Sequence, residues 1–147
     1  MFQIKICGIT SVVDAQAVAA AGADAVGLNF YAGSPRCVSP SAAHEIVKAL
    51  PRTTVKVGVF VNTPAFQIND LYDTLSLDLV QLHGDEPPEM LAELGGRPVV
   101  RAFRAGPDLT PIQSYLARCR QLGTAPRMVL IDAYQAGSFG GTGRTAD

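Results

Sequence analysis

The chain has no tryptophan and only three cysteines and two histidines among 147 residues. It also has no apolar run long enough to cross a bilayer. Cys7, Cys37 and Cys119 are odd in number and irregularly spaced, which argues against a disulfide framework or a zinc motif and for a reducing, cytoplasmic setting. His44 falls on a predicted helix, far in sequence from any cluster of ligands, so no metal site is expected. An excess of one charge is missing too. Twelve basic residues face thirteen acidic ones, and Lys and Arg do not cluster, so no nucleic acid or membrane partner is expected. Residues 1–5 lead straight into a strand and lack a signal-peptide pattern. No linker or low-complexity segment divides residues 1–147, and one domain is expected.

What is present is apolar and alternating. Hydrophobic residues make up 48% and charged residues 17%, a balance that suits strands covered on both faces. Strands are predicted over 2–7, 25–30, 55–61, 79–83, 99–103 and 128–132. Helices are predicted over 11–21, 39–50, 64–75, 87–94 and 109–122. Ser39 suits an N-cap with Pro40 at the first helical position, and Gly22, Gly95-Gly96 and Gly123 suit helix stops. Strands alternating with helices imply a parallel α/β sheet. Each unit takes roughly 25 residues, so eight would need about 200, the lower end for a (β/α)₈ barrel. Two architectures therefore stand: a complete open sheet, or six units of a barrel.

Reactive groups sit at strand ends. Cys7 closes the first strand and Asp132 the sixth, so a thiol and a carboxyl share one end of a parallel sheet and make a candidate base and acid. A buried structural cysteine is the bland alternative, at about even odds for Cys7 alone. Arg36, in the loop Gly33-Ser34-Pro35-Arg36, has a planar fork suited to a carboxylate; a solvated loop arginine is the alternative. His83 ends strand four, either as an acid–base or lining group or as a satisfied structural histidine. Gly140, Gly141, Thr142 and Gly143 form a glycine-rich loop that either approaches an anion or is plain connection, and it lacks the ending of a P-loop.

The blocks KICGIT, GADAVGLNFYAGSPRCVS, VGVFVN, VQLHGDE, RAFR, LIDA and GGTGRTAD occur together and in order. Their order and spacing resemble the phosphoribosylanthranilate isomerases of tryptophan biosynthesis, over the whole chain. The resemblance implies a (β/α)₈ TIM barrel of which units one to six are present, lacking helix six and units seven and eight. It implies an Amadori rearrangement of a small phosphorylated substrate that needs no metal and no organic cofactor. Cys7 is then the base, Asp132 the acid and Arg36 the carboxylate clamp, with His83 and Gly140–Gly143 lining or covering the site. A thiol of ordinary pKa, ~8.5, needs a positive neighbour or dipole to act as a thiolate near neutrality. Indole-glycerol-phosphate synthase chemistry is disfavoured, because lysine and glutamate are expected there at strand ends. The two phosphate-binding turns of the family fall beyond residue 147, so a non-catalytic α/β fragment that at most binds small anions is the alternative. A homo-oligomer or a fusion to a neighbouring pathway enzyme is compatible with the sequence. Unclosed first and sixth strands would leave the apolar sides of Ile4, Ile6, Val129 and Ile131 without neighbours.

Overall fold

The computed structural model describes residues 2–105 and 108–133. Strands β1 (Lys5–Cys7), β2 (Ala25–Asn29), β3 (Val55–Phe60), β4 (Leu79–Leu82), β5 (Val99–Ala105) and β6 (Met128–Ala133) alternate with helices. The helices are α1 (Val12–Ala20), α2 (Pro40–Ala49), α3 (Ala65–Thr74), α4 (Met90–Glu93) and α5 (Thr110–Gln121). The six strands form one parallel sheet in chain order, β1 to β6.

Local chemistry explains the helix ends. Ser11 Oγ accepts from the Asp14 amide at 3.1 Å, and Ser39 Oγ from the Ala42 amide at 3.2 Å, with Pro40 opening α2. Gly22, Gly95, Gly96 and Gly123 all have positive φ, the conformation a helix stop requires. Two elements differ from expectation. The helix expected over 87–94 is a single turn, because Pro88 disfavours helical backbone at Pro87 and the segment opens with three-residue bonds such as Met90 N–H to Pro87 O. The first strand starts at Lys5 instead of residue 2. The amides of Gln3 and Ile4 both donate to Asp24 Oδ2, at 2.8 and 2.9 Å, so a side chain replaces the strand ladder there. These two bonds hold the Asp24 carboxyl below its ordinary range.

The register sorts residues between two faces. Side chains alternate along each strand, and pairs such as Cys7–Gly27, Gly27–Val57, Val57–Leu79, Gln81–Val100, Val100–Met128 and Arg104–Asp132 run in step across the sheet. One face therefore carries Lys5, Cys7, Gly27, Gln81, His83 and Asp132. Deeper along the strands, the same face holds a small apolar cluster of Ala25, Val57, Leu79 and Val100, with Val55, Met128 and Leu130 against it. The opposite face packs under the helices through Val26, Leu28, Ile46, Phe60, Ile68, Leu82 and Leu94. Phe30 and Phe60 stack there with centroids 5.2 Å apart.

Among the described residues β1 and β6 each pair on one side only. Ile4 is 52% exposed, Ile6 38%, Val129 43% and Ile131 49%, as expected for apolar residues on strands without outer neighbours. Open edges with apolar side chains favour association. A 147-residue polypeptide of this sequence should therefore run as oligomers or aggregates in size-exclusion chromatography. Ile6→Lys with Ile131→Lys should shift it towards monomer. A wild-type monomer with a sharp cooperative melt would refute this account of the edges.

Candidate active site

The site lies where β1, β4 and β6 end. Cys7 is the last residue of β1 and its thiol is exposed. The next residue, Gly8, has φ +81°, and a Cβ placed there would lie 2.6 Å from Arg36 Cδ and 3.0 Å from Arg36 Nε. Glycine is required here by backbone conformation, and the Arg36 side chain lies across the space a Cβ would take. That contact brings the β2–α2 loop to the end of β1. The loop is held by a turn bond from Cys37 N–H to Ser34 O and by Val38 N–H to Asn29 O at 2.8 Å.

His83 directly follows β4, and its N–H still donates to Phe60 O at 2.9 Å, so the backbone stays in register with β3. Its side chain joins residues 49 apart in sequence: His83 Nε2 lies 3.1 Å from Asp132 Oδ2. On its other side, His83 Nδ1 lies 3.3 Å from Gln81 Nε2. An amide nitrogen can only donate, so this arrangement makes Nδ1 the acceptor and Nε2–H the donor to Asp132. Burial pushes the His83 pKa below 6.5, and the Asp132 carboxylate only partly opposes that shift. The contact is therefore best described as a hydrogen bond from a neutral imidazole, although its distance also satisfies an ion pair. Gln81 is 2% exposed, and its Oε1 has no partner among the described residues.

A buried pair supports the loop that carries His83. Arg101 Nη1 lies 3.2 Å from Glu86 Oε2, with both side chains almost fully buried. Arg101 also donates to Leu82 O, Ala102 O and Gly84 O, and its guanidinium lies 5.0 and 5.1 Å from the Phe103 and Tyr115 ring centroids. Glu86 accepts from the amides of Asn62 and Gly84. The ends of β3, β4 and β5 are thereby tied to one another. Removing either partner of such a pair costs about 3–5 kcal/mol, because it strands a buried charge. Burial also pushes the Tyr115 hydroxyl pKa up to about 12.

Of the residues expected from sequence, Cys7, Arg36, His83 and Asp132 are described. The register puts Cys7, His83 and Asp132 on one face and at one end, with Arg36 beside Cys7 through Gly8. Gly140, Gly141, Thr142 and Gly143 lie outside the described residues. Gln81, Glu86 and Arg101 were not anticipated. For Gln81 the signal was available, since it stands two residues before His83 on the same face. For Glu86 and Arg101 no local pattern announces the pairing. Among the described residues no group of three or more His, Cys, Asp or Glu side chains is placed to hold a metal, and no helix is long and apolar enough to cross a membrane.

A model of the family described as N-(5'-phosphoribosyl)anthranilate (PRA) isomerase matches residues 4–147. The chain belongs to that family. It is 47% identical over 147 residues to the N-(5'-phosphoribosyl)anthranilate isomerase of Pseudomonas syringae pv. syringae (strain B728a), covering 97% of this chain and 66% of that one. The crystal structure of phosphoribosyl anthranilate isomerase from Thermotoga maritima overlays with a TM-score of 0.83 at 36% identity, covering 100% of this chain and 68% of that one. A second isomerase structure, in complex with reduced 1-(o-carboxyphenylamino)-1-deoxyribulose 5-phosphate, overlays with a TM-score of 0.78, again at 36% identity, over 92% of this chain and 66% of that one. The chain thus spans about 66% of the length of the first curated relatives it matches. Its six-stranded wall is a partial (β/α)₈ barrel of the kind these isomerases build.

The sign of the His83 shift makes a prediction. A histidine with a lowered folded-state pKa binds its proton better when unfolded, so stability is lost as pH falls below about 6.5 and is unaffected well above it. Urea melts of wild type and His83→Gln should therefore converge, or cross, as pH falls from 7.5 to 5. A constant gap between the two across that range would contradict a buried neutral imidazole.

Proposed function

We propose that this chain supplies the acid–base apparatus of a phosphoribosylanthranilate isomerase. The reaction is the Amadori rearrangement of N-(5-phospho-β-D-ribosyl)anthranilate to 1-(2-carboxyphenylamino)-1-deoxy-D-ribulose 5-phosphate. The observation that carries this reading is that the register aligns Cys7 on the same face as the His83–Asp132 pair, at the carboxyl ends of β1, β4 and β6. Family membership supports it, and so does the ribulose phosphate compound bound to the solved relative.

In this reading the Asp132 carboxyl group protonates the ribose ring oxygen. The bond from that oxygen to C1 breaks and its electron pair stays on oxygen, while the anilino nitrogen lone pair forms an iminium at C1. The Cys7 thiolate then removes the proton from C2, and the C–H electron pair forms the C1=C2 bond of an enolamine. Tautomerisation returns a proton to C1 and leaves a ketone at C2. C1 is reduced and C2 oxidised by the same two electrons, so no external oxidant or organic cofactor takes part. The acid must carry a proton when it acts. Arg36 would hold the anthranilate carboxylate, its stem already seated on Gly8. The three free cysteines support a reducing, cytoplasmic setting.

The test continues this chain with the C-terminal third of the Pseudomonas syringae relative and follows substrate consumption. Cys7→Ala and Asp132→Asn should each lower kcat by ~10²–10⁴, the usual contribution of a positioned acid or base. Near-normal turnover in either variant would remove that residue from its role. Inactivity of the parent chimera would favour a non-catalytic α/β fragment.

Arg36→Lys in the same chimera keeps the charge and loses the two-point fork. KM should rise by a larger factor than kcat falls. An unchanged KM would count against a carboxylate clamp.

A further inference from the structure

Gly27 stands beside Cys7 in the β1–β2 ladder. A Cβ on Gly27 would lie 2.8 Å from Cys7 Sγ and 3.0 Å from Lys5 Nζ. The missing side chain is the space that both groups occupy. Atoms within 3.0 Å of one point are within about 6 Å of each other, the range in which an opposite charge favours an ionised form. Lys5 stands two residues before Cys7 on the same strand, so their side chains share a face. It is half-buried, and among the described residues it has no ion pair or side-chain hydrogen bond. A sheltered ammonium without a counter-ion gains by any anion formed next to it.

We infer that Lys5 is the positioning residue that stabilises the Cys7 thiolate, with Gly27 conserving the room for the two groups to meet. The proposal rests on the reading of Cys7 as a base and adds the cation that base needs. The other charged groups around Cys7 act in both directions. Arg36, lying over Gly8 from the β2–α2 loop, and Arg104, beside Asp132 on the same face of β5, favour the thiolate; Asp132 on β6 opposes it while ionised; neutral His83, just after β4, adds no charge. β2 presents Ala25, Gly27 and Asn29 on this face, none of them charged. Lys5 also acts against protonation of His83, which places its charge within electrostatic reach of the same cluster.

Alkylation of Cys7 by iodoacetamide needs no substrate and reads thiolate availability directly. The experiment uses the chimera described above with Cys37→Ser, and reads only the peptide that carries Cys7, whose thiol is exposed while Cys119 is buried. Modification at Cys7 is quantified by peptide mass spectrometry at pH 7 and pH 10. The ratio of the two rates should fall about tenfold or more in Lys5→Met, the effect of losing an opposite charge at this range. Lys5→Arg should hold the ratio within about threefold of the parent. A purely structural role would alter both rates together and leave the ratio unchanged. A Lys5→Met ratio within twofold of the parent, in protein with native circular dichroism, overturns the proposal. Should Lys5→Met unfold, the parent is compared with itself in 8 M urea. A native ratio about tenfold above the unfolded one supports the contact, and equal ratios overturn it. Either failure would leave Cys7 as the base, since that role stands or falls on turnover of Cys7→Ala.

Discussion

Parallel pairing in unbroken register is the constraint on which everything else in this chain depends. Six strands in sequence order, each in step with the next, decide which alternate residues share a face. A one-residue slip at any ladder would send half the reactive groups under the helices. Because the register holds from Cys7–Gly27 to Arg104–Asp132, the thiol of the first strand and the carboxyl of the last face the same space. The apolar cluster of Ala25, Val57, Leu79 and Val100 beneath them gives that face a packed floor.

Polar groups on this face are few and differently supported. His83 bonds to Gln81 on one side and Asp132 on the other, and its burial keeps it neutral. Arg36 is placed by van der Waals contact with a glycine. The β4 loop is held from outside the sheet by Glu86 and Arg101, a buried ion pair that also ties in Asn62. The site is thus cross-linked at β3, β4 and β5, and among the described residues β1 and β6 have no outer neighbours.

Much of the fold was legible in sequence because its signals are local. Ser39-Pro40 opens a helix through one hydroxyl and one fixed φ, and Gly22 closes another through a positive φ; neither needs a distant partner. The two misreadings have different causes, one local and one distant. Residues 87–94 are apolar enough for a helix, yet Pro88 disfavours helical backbone at Pro87, and three-residue turns take up the first half. Residues 2–4 are apolar enough for a strand, yet the Asp24 carboxylate, reached only through the fold, takes their amides.

By itself, the sequence determined the order of the elements, the parallel α/β class, the family resemblance, and the presence of Cys7 and Asp132 at strand ends. Those properties follow from period, capping chemistry and chain order, which act over a few residues. Only the tertiary structure decided that His83 touches Asp132 across 49 residues, that Gln81 is its second partner, that Glu86 pairs with Arg101, and that Lys5 and Cys7 share the space above Gly27. Each of these contacts depends on register summed over several strands, and a register is a relation between segments that no single segment contains.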